Sequence, residues 1–262
     1  MKEKREAVER ELLGWLARAA PIALRVAGLL SFAPFLGDRA IPIRIKAGLL
    51  IVLTALLVPV VQVRSVSLAP ADWVRTALGE TLVGLLIGLS LQAVLEGMQF
   101  AGQIAGIQLG LSLATLFDPQ SDADSTVAPV LFNLIALLIF LQLNVHHAVL
   151  RGLERSFEYL PVGTFAATDV LSRNVVRVVG ALFVLGIQIA APLVVATLLI
   201  DLAMSFVSKA SPQIPALLLG LPVKNVAGYA LLAGAVALWP GILERRFEMA
   251  VGAAEKMLHL IR

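Results

Sequence analysis

The sequence predicts an all-α integral membrane protein of about six long hydrophobic helices with a central irregular loop. Three observations carry that prediction. Hydrophobic residues fill 59% of the 262 positions and charged residues only 15%, with a mean hydropathy of +0.89; a soluble domain is about 45–50% apolar and about 25% charged. The apolar residues gather into runs at 15–37, 45–63, 74–100, 127–150, 175–207 and 217–240, and several reach the ~20 residues a helix needs to cross hydrocarbon. Alternation of period two is absent, which argues against an outer-membrane barrel. Backbone groups in lipid must be satisfied within their own element, so the runs are read as helices. We read 1–262 as one membrane-embedded domain, with a charged N-terminal tail at 1–14, a central loop at 101–126 and a polar C-terminal tail at 241–262.

From the N-terminus, the tail alternates Lys, Arg and Glu, and the apolar stretch before Ala17-Arg18-Ala19 is too short for a signal core, so no cleavage is expected. In the first segment, Arg18 and Arg25 lie seven apart and share a face. Arg18 can snorkel, whereas Arg25 is deeper and is expected to meet an acid on another helix or a neighbouring subunit. The third segment carries Glu80, Gly84, Gly88, Gln92, Glu96, Gln99 and Gln103 at steps of three or four, one slanting stripe on a helix. A carboxylate at the bilayer centre costs at least a few kcal/mol. Two readings fit the stripe: packing inside a helical bundle, or a face lining a subunit interface or an aqueous path. Both place protein rather than lipid against it.

Gly102, Gly106 and Gly110 continue the small-residue pattern into Leu111-Ser112-Leu113-Ala114-Thr115-Leu116-Phe117-Asp118-Pro119-Gln120. Pro119 lacks an N–H and biases Asp118 away from helix, so an apolar but irregular segment interrupts the membrane region. It is either an ordinary exposed loop or irregular backbone enclosed by protein or a cavity. The fifth segment places Thr197, Asp201, Ser205 and Ser208 on one face, with Lys209 two turns after Asp201. Fourteen Lys and Arg fall on the side that holds both termini and the 2–3 and 4–5 loops, against five on the other. If all six runs are simple spans, the positive-inside rule puts both termini in the cytoplasm.

Other chemistries lack their residues. No cysteine is present, so there is neither a disulfide framework nor a thiolate metal site. His146 and His147 are poorly phased with Glu154 for a metal, and neither a P-loop nor a nucleophile–base pair exists. No cofactor, metal or catalytic set is expected, and the net charge of +3 is not gathered into a nucleic-acid stripe.

Several words of the sequence, in one order from about residue 15 to 240, resemble the FliR family. They are Leu29-Leu30-Ser31-Phe32-Ala33-Pro34-Phe35-Leu36-Gly37 with Arg39-Ala40-Ile41-Pro42, Gly106-Ile107-Gln108-Leu109-Gly110 through Phe117-Asp118-Pro119-Gln120, Asn133-Leu134-Ile135-Ala136, Leu160-Pro161-Val162-Gly163, Asp201-Leu202-Ala203-Met204, Ser211-Pro212-Gln213 and Leu221-Pro222-Val223-Lys224. Ile214-Pro215-Ala216 departs from the family's usual continuation. The resemblance implies a subunit built of helical hairpins, seated in the bacterial inner membrane at the flagellar basal body. There it would assemble with FliP-like and FliQ-like subunits, and with an FlhB-like one, into the type III export gate, much of it toward the periplasm. Unfolded export substrates would pass through. It also implies that residues 106–124, including Gly106, Gly110, Ser112, Leu113, Leu116, Phe117, Asp118, Pro119 and Gln120, help plug the closed pore. The injectisome has a homologous subunit, and the Phe-Asp-Pro-Gln word favours the flagellar branch.

Two rival readings remain. Glu80, Glu96 and Asp201 beside a broken helix are ingredients of a secondary transporter, though no internal repeat is evident. An intramembrane enzyme would need a catalytic set that the sequence lacks.

Overall fold

The structure, a computed structural model, describes residues 2–34, 37, 41–61, 69–111, 127–165, 169–210 and 216–260; at 2–13, 169–171, 216–219 and 258–260 only the backbone is described. The described residues form helices and connecting turns without a strand. The helices are α1 (Lys2–Phe32), α2 (Ile43–Leu57), α3 (Pro70–Gln108), α4 (Val127–Gln142), α5 (Val145–Tyr159), α6 (Asp169–Ala210), α7 (Ala216–Val236) and α8 (Trp239–Leu260).

Three of them contain stretches long and apolar enough to cross a bilayer alone: Gly14–Phe32, Pro70–Gln108 and Ser172–Ala210. The other expected runs behave differently. The second, at 45–63, yields only the 15-residue α2, about 22 Å at 1.5 Å per residue and short of a full span. The fourth breaks at residues 143–144, between α4 and α5. Asn144 takes the left-handed conformation there (φ 53), one of the few side chains that tolerates it. The sixth ends at Val236 and turns 58° into α8.

Two boundaries of the sequence reading shift. Residues 101–108, expected in the central loop, continue α3 as helix. Residues 241–262, expected as a polar tail, are largely α8, in which Trp239, Leu243, Phe247, Ala254 and Met257 are buried. Their spacing of four, four, seven and three is an apolar helical stripe among the charges. The N-terminal tail extends α1 to Lys2.

The chain divides into two compact units. One comprises Met1–Gln92, Asn144–Val178 and Phe247–Arg262. In it α1 packs on α2 and on α3. The contacts advance together along α1 and α3: Gly28 meets Thr81 and Leu85, Gly84 meets Arg25 and Leu29, and Gly88 meets Leu29 and Phe32. The two helices therefore run parallel, and α2 carries the chain back between them. A Cβ on Gly84 would stand 2.0 Å from the Arg25 carbonyl oxygen, and one on Gly28 2.4 Å from that of Thr81. Backbones approach this closely where a glycine removes the side chain that would stand between them, the device by which helices pack in membranes. On α5, Val145, Val149, Gly152, Leu153, Ser156 and Phe157 form the buried face.

The other unit comprises Ala93–Leu143 and Val179–Arg246. Gly97 and Gly186 let α3 and α6 touch, and Phe100 meets Phe183 edge to face at 5.3 Å. Gly102 lies against Ala128 and Pro129 of α4. Trp239 stacks on Phe132 with centroids 4.7 Å apart, and Arg246 donates to Gln188.

Candidate functional site

The parallel α1–α3 contact brings Arg25 and Glu80 to one level. Both lie beside glycines, so the helices are near enough for a guanidinium to bridge them. Arg25 Nε donates to Glu80 Oε2 at 2.6 Å, Nη1 to Ser156 Oγ at 3.1 Å and Nη2 to the Leu160 carbonyl at 2.9 Å. Its guanidinium lies 4.1 Å from the centroid of the Phe157 ring, which adds a cation–π contact. Glu80 Oε1 accepts from the Gly163 N–H at 3.1 Å, and Ser156 Oγ donates to the Leu153 carbonyl at 2.6 Å. Arg25 is 0% and Glu80 1% exposed.

The cluster ties three helices and one turn. Ser156 and Phe157 come from the last turns of α5. The chain then leaves the helix through Pro161-Val162-Gly163, where Gly163 has φ +80, a conformation other side chains resist. The turn closes on the Pro161 carbonyl, which accepts from the Thr164 N–H and hydroxyl. This conformation points the Gly163 N–H at Glu80. A buried ion pair does not stabilise unless its remaining hydrogen-bonding groups are met. Here each Arg25 nitrogen and both Glu80 oxygens are engaged, so the arrangement can fix the relative positions of α1, α3 and α5.

A second constellation lies in the other unit. Lys224 Nζ sits 2.6 Å from Asp201 Oδ2, the side chains being 17% and 49% exposed. They border an open cavity of about 400 Å³ that Gln108, Gly110, Ser205 and Ser208 also line. Ser205 and Ser208 donate back to the α6 carbonyls of Asp201 and Met204. Asp201 thus meets a lysine on α7 rather than Lys209 on its own helix.

Arg25 and Glu80 form the buried pair. Gly110 (φ 70) and Asp201 border the same cavity, and Gly106 is buried. Along α3 the stripe changes character: Glu80, Gly84 and Gly88 are buried, Gln92, Glu96 and Gln99 half-buried, and Gln103 exposed. Ser112, Leu113, Leu116, Phe117, Asp118, Pro119 and Gln120 lie outside the described residues. Sequence reasoning missed Ser156, Phe157 and Lys224. It noticed the 160–163 word but not its role, because these residues join only across long stretches of chain. Among the described residues no cluster of His, Asp or Glu suits a metal ion.

Long apolar helices locked by glycine contacts and a buried ion pair define an all-α membrane protein. Comparison with known proteins narrows this. The family described as "Bacterial export proteins, family 1" matches residues 16–250, and the chain belongs to that family. Curated relatives include the flagellar biosynthetic proteins FliR of Escherichia coli K12 (28% identical, covering 92% of this chain and 93% of the relative), of Pectobacterium carotovorum (28%; 90% and 91%) and of Bacillus subtilis (25%; 92% and 94%). The resemblance carried by the sequence words is thus found across nearly the whole chain.

Proposed function

We propose that this chain is a structural subunit of the flagellar protein export gate in the bacterial inner membrane. In this reading it assembles with FliP-like and FliQ-like subunits, contacts an FlhB-like one, and helps enclose the path of unfolded export substrates. The names of the relatives support the flagellar branch over the injectisome one. The role is architectural rather than catalytic.

The observation that carries this reading is the surface of α6. Its apolar stretch Ser172–Ala210 has 39 residues, about 58 Å of helix at 1.5 Å per residue. Exposed apolar side chains run along all of it, from Val176, Val179 and Phe183 through Ile187 and Val195 to Leu199, Leu202 and Phe206. The hydrocarbon core is about 30 Å thick, so lipid covers only about half of that length. The remainder needs apolar protein, and contiguous exposed apolar surface of this size marks an interaction site. A gate subunit surrounded by helical partner subunits would have it supplied by them. The segment 106–124 would serve as the plug, with Gly110 at its entrance.

Expression alone and together with FliP-like and FliQ-like subunits tests the proposal. Alone, the chain should aggregate or be degraded; with them, it should co-purify in detergent as one large complex. Independent purification of each subunit from the co-expressing cells would refute it.

A further inference from the structure

Two tryptophans and two arginines mark one end of the parallel α1–α3 pair. Trp15 and Trp73 are 47% and 37% exposed, and Arg18 and Arg75 are exposed as well. Trp73, Thr76 and Ala77 share a shallow depression with Ala17 and Pro21, which puts the start of α3 level with the turns just after Trp15. The surrounding surface is apolar, with Leu16, Val74 and Leu78 exposed and Asp72 adding one carboxylate. Bulk water would leave this apolar surface uncovered, and hydrocarbon would leave two guanidiniums without partners. The headgroup layer satisfies both: an indole rests its apolar body on the chains with its N–H in the wet layer, and a guanidinium takes phosphate oxygens in pairs.

We propose that Trp15, Arg18, Trp73 and Arg75 form a headgroup anchor that seats this end of α1 and α3 in the phosphate layer of a phospholipid bilayer. The proposal rests on the membrane character of the helices and is independent of the export-gate role. It sets a depth scale. At 1.5 Å per residue Arg25 lies about 15 Å below Trp15, and Glu80 about 10 Å below Trp73. That is close to the midplane of a hydrocarbon core about 30 Å thick. Midplane is where an unpaired charge costs most, and there the pair is 0% and 1% exposed with every nitrogen of Arg25 engaged. Phe32, where α1 ends, comes about 26 Å beyond Trp15, near the far face of the core. On α3 the same thickness runs out roughly 20 residues beyond Trp73. There the helix changes from a buried to a more exposed polar stripe: Gln92, Glu96 and Gln99 are half-buried and Gln103 is exposed. One anchor thus accounts for the place of the ion pair, the length of α1 and the onset of exposed polar residues on α3.

The chain holds three tryptophans and no cysteine, and Trp239 is only 2% exposed, so each probe is introduced cleanly. The full chain with its co-expressed partners is reconstituted in phosphatidylcholine–phosphatidylglycerol vesicles. The double variant Trp73→Phe/Trp239→Phe leaves Trp15 as this chain's reporter, and Trp15→Phe/Trp239→Phe leaves Trp73, each read after subtracting the signal of the triple variant Trp15→Phe/Trp73→Phe/Trp239→Phe, which carries only the partners' tryptophans. Lipids brominated beside the headgroup should quench both reporters more strongly than lipids brominated at the chain ends. In a second arm, Gln103→Cys should react with a membrane-impermeant maleimide and Leu82→Cys should not. Stronger quenching by chain-end bromines overturns the anchor. So does the absence of quenching by either lipid while the complex stays in the vesicles, which would mean that partner protein covers this end. A Gln103 cysteine as protected as the Leu82 one overturns the depth scale. None of these outcomes bears on whether the complex exports protein.

Discussion

Arg25 and Glu80, 55 positions apart in sequence, form a 2.6 Å ion pair from which water is excluded, and the N–H of Gly163 completes the Glu80 carboxylate. Breaking one side of such a pair leaves a buried charge without a partner. Glu80→Leu or Arg25→Leu should each destabilise the chain by about 3–5 kcal/mol. The double variant should recover part of that loss, because no orphan charge remains. Unfolding of the detergent-solubilised complex, followed by heat or denaturant, checks this; equal losses that simply add would show that the pair is not coupled.

The glycine contacts predict opposite effects of one substitution at different sites. Gly84→Ala places a methyl 2.0 Å from the Arg25 carbonyl oxygen and should force α1 and α3 apart, a destabilisation of about 1–3 kcal/mol. Among the described residues nothing lies within 4 Å of where a side chain on Gly234 in α7 would begin. Gly234→Ala should therefore be neutral or stabilise by up to about 1 kcal/mol through helix propensity. Parallel melting curves of the two variants decide it.

Asp201 and Lys224 make a pair as short as the buried one but far more exposed. Water screens it, and exposed pairs contribute about 0–1 kcal/mol. Asp201→Asn should melt close to the unmodified chain and assemble normally. A large loss of complex in a co-purification assay would mean that a partner subunit buries this pair.

Much of the architecture was legible because hydrophobic runs are a direct record of solvent. The long helices α1, α3 and α6 followed from composition alone, and α3 carried its polar and glycine stripe in plain helical phase. The bend at Asn144 was not legible, since 127–150 is apolar on both sides and a single left-handed residue makes the break. The polar look of 241–262 hid the stripe of Trp239, Leu243 and Phe247, which the spacing contained but the charges masked. Arg25 was singled out as needing an acid, yet which acid depends on the parallel pairing of α1 with α3, and helix phase within either element does not encode that pairing.

The proposed plug makes a separate prediction. If the segment 106–124 plugs the pore, Leu113, Leu116 and Phe117 would supply the apolar groups that dewet a narrow constriction. Deleting residues 112–120, or Phe117→Gly, should increase leakage of small ions through membranes that hold the assembled gate, compared at equal abundance. Unchanged leakage from a normally assembled complex would make the segment an ordinary loop.

Membership of the flagellar export gate is decided by deleting the gene for this chain from the parent bacterium and measuring flagellar filament protein in the culture medium and on the cell surface. Export should stop while the filament protein is still synthesised, and a plasmid copy of the chain should restore it. Export at the parental level in the deletion strain would exclude a role in the gate.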